Sequence, residues 1–296
     1  MKMNLKKRFM KKNIRSVILL SLSFLVMSCS DREDLSLAID TGENANGEVL
    51  TMISYNILEG MKYDKDNNYN NFVVWLKSYN PDIVALEEAN KFTQQTLETL
   101  AARYGHPYVV TNVKIGDNYP VALTSKYPIE VRRKITKDVS HGAIFAKIKD
   151  VNIVVTHLWP QAYWHETGDG LGDAYRLQEI KIVLDSTIRK YPNETKWILC
   201  GDFNSVSRKD YASETEDNFD VHDVIASAGY VDAIHYLYGY KSMGLTAYPS
   251  PYPGKRIDFL YGSRAVLRNV VYSRFIYDDF TALASDHRPV LVKFRY

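Results

Sequence analysis

Residues 197–204 read Trp-Ile-Leu-Cys-Gly-Asp-Phe-Asn. Four apolar residues followed at once by Gly, Asp and Asn describe a short buried strand that ends in turn-forming polar side chains. The pattern recurs upstream: Met52-Ile53-Ser54-Tyr55 ends at Asn56, Ile83-Val84-Ala85-Leu86 runs into Glu87-Glu88, and Ile153-Val154-Val155-Thr156 ends at His157. A core strand gains nothing by finishing in a carboxylate or an imidazole. One such end is ordinary. Four of these types, on rigid strand ends whose loops can share a cleft, mark a site.

Around these stretches, extended and helical runs interleave. The apolar and β-branched content predicts strands at Leu50–Tyr55, Asp82–Leu86, Val121–Ser125, Ile129–Thr136, Ala143–Ile148, Val151–Thr156, Trp197–Cys200, Ile257–Tyr261, Val266–Phe275 and Val290–Phe294. Helical spacing predicts helices at Tyr69–Ser78, stopped by Asn80-Pro81, at Thr93–Tyr104 and at Ala174–Lys190. Strands alternating with helices indicate an α/β domain. Hairpins within the series, such as the one expected at Asp150, imply mixed sheets, and two sheets packed face to face with helices outside satisfy the count.

The chain has 296 residues, 46% of them hydrophobic, enough for one large domain with a substantial core. Its formal net charge of +2 is misleading, because residues 1–28 hold seven Lys/Arg and no acid. Without them 30 basic side chains face 35 acidic ones, a balance of −5. Such a body does not suit a protein that grips nucleic acid mainly by charge. The basic start precedes an apolar run, Val17–Met27, too short to span a bilayer. That run ends Val26-Met27-Ser28-Cys29, which resembles a bacterial lipoprotein signal with Cys29 at the lipidation site; Met27 departs from the usual small residue. Residues 1–29 are then a signal peptide, 30–48 a polar flexible tether and 49–296 the folded domain, exported and lipid-anchored to a bacterial membrane. Ser30-Asp31-Arg32-Glu33-Asp34 resembles acidic surface-export tags, which would place it on the cell surface. The other cysteine, Cys200, has no partner for an intrachain disulfide and reads as a small buried hydrophobe.

Six stretches stand in order from Leu50 to the C-terminus: Ile53-Ser54-Tyr55-Asn56, Asp82-Ile83-Val84-Ala85-Leu86-Glu87-Glu88, Val155-Thr156-His157-Leu158, Gly201-Asp202-Phe203-Asn204-Ser205, Arg256-Ile257-Asp258-Phe259-Leu260 and Ser285-Asp286-His287-Arg288-Pro289-Val290. Together they resemble the endonuclease/exonuclease/phosphatase superfamily, which includes deoxyribonucleases, abasic-site endonucleases, inositol-polyphosphate phosphatases and neutral sphingomyelinases. The resemblance implies a four-layer α/β sandwich, two packed mixed β-sheets flanked by helices. It also implies an enzyme that hydrolyses phosphate esters by direct water attack with a divalent metal, Mg²⁺ foremost and Mn²⁺ or Ca²⁺ as alternatives.

With the resemblance as guide, roles follow from chemistry. Glu88 is the leading metal ligand, a hard carboxylate suited to Mg²⁺. Asn56 supports the metal or orients the carboxylates, and Asp286 adds a second acidic contact. Asp202 acts as general base or orients the attacking water, and Asn204 holds a phosphate oxygen. His157 and His287 donate to the phosphoryl oxygens as charge builds, and Asp258 pairs with His287, fixing its tautomer and raising its pKa. The family usually has Gln-Glu where this chain has Glu87-Glu88, so Glu87 is a departure.

Around the centre, Arg256 follows Lys255 and a tyrosine-rich stretch, Tyr236–Tyr252, and is a candidate to bind substrate. So is Trp159, which opens a loop to Gly172 that also carries Tyr163 and Trp164. Arg176 and Gln178 stand where family members often carry Arg and Gln, and a solvated helix face accounts for them as well. His141 stands where relatives often have Arg and reads as a surface histidine. The expected substrate is a small phosphoester, an inositol phosphate or a phospholipid headgroup. Nucleic acid is the less favoured alternative, and a catalytically silent surface binding module the alternative of another class. A monomer is expected.

Overall fold

The computed structural model describes residues 47–114, 119–162, 168, 170–211, 218–239 and 255–296. The signal segment with Cys29, the tether up to residue 46, Tyr163, Trp164 and residues 240–254 lie outside the described residues.

Twelve strands form two six-stranded sheets among the described residues. The first contains β1 (Val49–Asn56), β2 (Ile83–Glu87), β3 (Tyr108–Thr111), β4 (Ala122–Ser125), β11 (Val270–Phe275) and β12 (Val290–Arg295), in the order β11-β12-β1-β2-β4-β3. The second contains β5 (Ile129–Ile135), β6 (Gly142–Ile148), β7 (Val151–His157), β8 (Trp197–Asp202), β9 (Tyr230–Asp232) and β10 (Asp258–Ser263), in the order β5-β6-β7-β8-β10-β9. Each is mixed: β1 runs parallel to β2 and β7 to β8, whereas β12 and β10 run antiparallel to their neighbours.

Side chains alternate across each strand, and the alternation sorts the core into layers. Met52, Ile83, Ala85 and Val292 of the first sheet meet Val155, Ile198, Cys200 and Leu260 of the second between the sheets. The opposite face of the first sheet, with Ile53, Tyr55, Val84 and Leu86, carries α2 (Asn70–Tyr79) and α3 (Gln94–Arg103). The opposite face of the second, with Val154, Leu199 and Phe259, carries α4 (Gly172–Ser186) and α5 (Asp220–Ser227). The result is the helix–sheet–sheet–helix sandwich. Cys200 is buried and free, and no helix among the described residues is long and apolar enough to cross a membrane.

Local chemistry fixes the helix ends. Thr93 caps α3 by accepting from the Thr96 N–H at 3.1 Å, and α2 stops at Asn80, in the left-handed region with φ 48°, before Pro81. Asp278 caps α8 (Asp279–Ala284) and also accepts from Trp75 Nε1 at 2.8 Å and Tyr79 Oη at 2.9 Å, tying α8 to α2.

The structure corrects the sequence reading in places. Val266–Phe275 is not one strand: Arg264–Leu267 is a helical turn, α7, and the strand begins at Val270. The chain crosses there from β10 in one sheet to β11 in the other, so Val266 and Leu267 reach the core from a turn. The long helix begins at Gly172 and ends at Ser186, short of the expected Lys190. The short strands β3 and β9 and the helices α5, α6 (Ala233–Tyr238) and α8 carry too few periodic residues to be read in advance.

One glycine is required by this packing. Gly201 pairs with Thr156 across β7–β8 at φ 137°, and a Cβ there would lie 1.9 Å from the Thr156 carbonyl oxygen. Gly201→Ala is therefore expected to cost at least about 2 kcal/mol, through strain and the separation of two central strands. Urea denaturation checks this; an unchanged midpoint would contradict the tight β7–β8 approach.

Candidate active site

The strand registers assemble the site. His157 at the end of β7, Asp202 at the end of β8 and Asp258 at the start of β10 stand abreast on one rung of the second sheet. Asn56 and Glu87 stand abreast at the ends of β1 and β2 in the first. In each strand these residues continue the row that faces between the sheets, as in Val151-Ile153-Val155-His157 and Ile198-Cys200-Asp202. The site is thus the polar rim of the inter-sheet core, where the two sheets end together.

Asn56 joins the halves. Its Nδ2 donates to Asp202 Oδ2 at 3.0 Å and to Glu88 Oε1 at 3.2 Å, while its Oδ1 accepts from the Leu58 N–H at 3.1 Å. The turn after it, α1 (Leu58–Met61), holds Leu58, Glu59 and Gly60 at φ 47°, 50° and 75°. That left-handed path aims the Glu59 N–H at Glu88 Oε2, 2.8 Å away, and Glu88 itself is at φ 55°. Gly60 is needed because a Cβ would lie 2.1 Å from the Asn90 carbonyl. Several uncommon backbone conformations side by side mark a site held against local preference.

On the other side, His287 Nδ1 lies 2.8 Å from Asp258 Oδ2, and its Nε2 lies 3.8 Å from Asp202 Oδ2. Ser285 places this loop: its Oγ donates to the Asn56 carbonyl at 2.8 Å and accepts from the His287 N–H at 3.1 Å. Burial opposes charge on His287, but Asp258 and Asp202 outweigh it and push its pKa up to about 10, so the ring is an imidazolium whose Nε2 can donate. Burial pushes Asp202 up to about 7, against the pull of His287. Burial, with His141 and His287 nearby, holds His157 well below its usual pKa. This keeps it neutral, and Nε2 is 3.6 Å from Asp202 Oδ2. Asn204, at φ 47°, follows a turn in which its N–H bonds Asp202 Oδ1 at 2.8 Å, and its Nδ2 donates to the Leu158 carbonyl at 3.0 Å.

Glu88, His157, Asp202, Asn204, Asp286, His287 and Trp159 all line one pocket of about 390 Å³. Arg256 is not among the described residues that line it; its guanidinium is buried beside Asp210 and Asp232. His141 is not the surface histidine expected: it is 7% exposed and lines the pocket, with its ring 4.4 Å from His157 and 5.3 Å from Tyr119. Only its position before Gly142, in register with His157, could have signalled this. Arg176 is not on a solvated face either. Its Nη1 donates to the carbonyls of Trp159 and Gln161 at 2.9 and 3.0 Å, bracing the loop after His157.

Two donor sets could hold a metal. Asp202, Asp258 and His287 bring ligand atoms within 4.8 Å of one another. In that set His287 Nδ1 is engaged by Asp258. Glu88 and Asp286 are the other set, on one wall of the pocket, with Asn56 Nδ2 orienting Glu88. Each Glu88 oxygen accepts one protein hydrogen bond and keeps lone pairs for the pocket, a hard-oxygen set of the kind that suits Mg²⁺.

A sequence profile described as the Endonuclease/Exonuclease/phosphatase family matches residues 53–287. The chain belongs to this family, and with it to the metal-dependent phosphoester hydrolases. Three solved structures share the fold. An AP endonuclease from Archaeoglobus fulgidus is 19% identical with a TM-score of 0.61, covering 83% of this chain and 99% of its own. A 3′ phosphatase from Neisseria, bound to product DNA hairpin, is 17% identical with a TM-score of 0.61, covering 83% and 100%. A 3′-5′ exonuclease from Neisseria meningitidis is 15% identical with a TM-score of 0.60, again covering 83% and 100%. None of the curated proteins compared matches the chain.

Glu87 is the family departure the geometry explains. It is 1% exposed, and Ser54 Oγ donates to its Oε1 at 3.0 Å. Burial first, then the nearby Asp258 charge, raises its pKa well above the carboxylate range, which favours the neutral acid. A protonated Glu offers one donor and one acceptor, much as Gln does. A buried acid with a raised pKa costs nothing while the unfolded chain is also protonated, and costs increasingly as pH rises above the unfolded value. Glu87→Gln is therefore expected to be more stable than wild type at pH 7–8, with the gap closing near pH 4. Thermal melts across pH check this; a gap independent of pH would show that Glu87 is ionised in the fold.

Proposed function

We propose that this chain is an exported, lipid-anchored enzyme that hydrolyses a small phosphoester, such as an inositol phosphate or a phospholipid headgroup. The observation that carries the substrate class is the pocket wall. Among the described residues it contains Glu59, Glu88, Asp202 and Asp286 but no Lys or Arg. A polyanionic duplex is held largely by such cations, each neutralising a phosphate. A compact substrate with one reacting phosphate needs far fewer, and the mildly acidic body favours it further.

In the reaction, Asp202 sits where it can orient or deprotonate water, fixed by the Asn56 Nδ2 and the Asn204 N–H. His287, charged and aimed by Asp258, donates from Nε2 to a phosphoryl oxygen, and neutral His157 donates from beside it. The Asn204 carboxamide adds a polar contact at the rim. A divalent ion held by Glu88 and Asp286, with Asn56 orienting Glu88, would supply charge neutralisation on the phosphate. Trp159 and His141 limit the size of the group bound beside it.

The second reading is a nuclease, favoured by two of the structures that share the fold, an AP endonuclease and a 3′ phosphatase bound to product DNA hairpin. Sphingomyelin, inositol phosphates and supercoiled plasmid, assayed in parallel with Mg²⁺, separate the two. The expected outcome is turnover of a small ester with little dependence on salt. Steeply salt-sensitive plasmid cleavage would establish the nuclease instead. EDTA is expected to abolish activity, and Asp202→Ala or His287→Ala to lower kcat by about 10²–10⁴. Activity that survives either treatment refutes the mechanism.

A further inference from the structure

Arg256 stands two residues before Asp258, and its side chain is built into a closed ring of charges beneath the site. Nη1 reaches Asp232 Oδ2 at 2.7 Å and Asp210 Oδ2 at 3.4 Å. His235 closes the ring, with Nε2 2.7 Å from Asp210 Oδ1 and Nδ1 3.0 Å from Asp232 Oδ2. None of these four side chains is more than 7% exposed. The guanidinium also covers the Phe259 ring, 4.1 Å from its centroid.

The ring joins segments far apart in sequence. Asp210 lies on the loop that leaves β8 through Asp202 and Asn204, Asp232 ends β9, His235 is on α6, and Arg256 leads into β10. Two backbone bonds lie alongside: the Arg256 N–H donates to Tyr211 Oη at 2.7 Å, and the Phe203 N–H to the Ile257 carbonyl at 3.0 Å. Burying charges is expensive, and an apolar set of equal volume often packs as stably. Stability is therefore a poor reason for four ionisable groups in this place. What charges supply, and apolar side chains do not, is a fixed direction.

We infer that Arg256 is a positioning residue: its buried pairing with Asp210 and Asp232 fixes the Asp202–Asn204 turn against Asp258, and through Asp258 sets the aim of His287. The inference rests on the hydrolase reading of the site for its kinetic readout and on the His287–Asp258 hydrogen bond for a readout that needs no turnover.

The test uses the full chain with Arg256→Met, Arg256→Lys, Asp210→Asn and the double variant Arg256→Met/Asp210→Asn. Each is assayed for kcat and KM on the best substrate and by NMR for the downfield Nδ1–H proton of His287, assigned by its loss in His287→Gln. Arg256→Met is expected to lower kcat about 10- to 100-fold with KM within about threefold, since small misplacements at a reacting centre act on kcat. The His287 proton signal shifts or broadens. Arg256→Lys retains more activity, because one nitrogen, Nη1, makes both carboxylate contacts. The double variant loses less than the product of the two single losses, since both break one network. An unchanged kcat with an unchanged proton signal overturns the inference. So does a rise in KM with kcat preserved, which would make Arg256 a substrate contact. If Arg256→Met does not fold, Arg256→Lys and Asp210→Asn decide by the same criteria. A wild type without turnover on any ester counts against the hydrolase reading, and the NMR signal then decides the positioning role alone.

Discussion

The hydrogen bond from Asn56 Nδ2 to Asp202 Oδ2, 3.0 Å long, joins the last residue of β1 to the last residue of β8, and so joins one sheet to the other at the site. Below it the inter-sheet core is built of apolar side chains, which pack well but carry little direction. At the rim direction is required, and the carboxamide supplies it. Its Nδ2 serves Asp202 in one sheet and Glu88 beyond the other, and its oxygen is engaged by the Leu58 N–H. A residue with fewer functions could not hold both carboxylates at once. The Ser285 hydroxyl, bonded to the same residue's carbonyl, then brings the His287 loop to the same point.

The polar rim follows from the period of a strand. Because side chains alternate, a row that is apolar between the sheets continues in the same direction at its last residue. His157, Asp202 and Asp258 point inward because Val155, Cys200 and Leu260 do. These polar groups thus borrow the rigidity of the core without being surrounded by it. The left-handed turn at Leu58–Gly60 and the tight β7–β8 approach at Gly201 are local departures that this arrangement requires.

This explains what was legible in the sequence. Strands with a continuous apolar run and a polar stop, such as Ile83–Glu87 and Trp197–Asp202, announce both their position and the residue at their end. The polar residues that the strand ends bring together at the pocket stand in the sequence at such stops. Elements fixed by tertiary contact were not legible in this way. Val266 and Leu267 look like strand residues but belong to a turn between sheets. Arg256 looks like an exposed cation beside a site, and only the fold reveals Asp210, Asp232 and His235 around it. His141 looks like a surface residue because nothing in its neighbours along the chain foretells the tilted ring contact with His157. Residues whose surroundings come from distant segments carry no local signal.

Charge economy accounts for the remaining departure. Asp202, Asp258 and Glu87 are all buried near one cation, His287. Three adjacent carboxylates and one imidazolium would leave uncompensated charge in a poorly solvated place, so burial and mutual repulsion keep some of the acids protonated. Asp258 keeps its pairing with His287, Asp202 is pushed up to about 7, and Glu87, which accepts from the Ser54 hydroxyl, is raised well above the usual carboxylate range. The chain tolerates Glu where the family usually has Gln because the site around it removes the charge that would tell them apart. On the other side of the same pocket stands an aromatic and imidazole wall formed by Tyr119, His141 and Trp159, which lies apart from this charge balance.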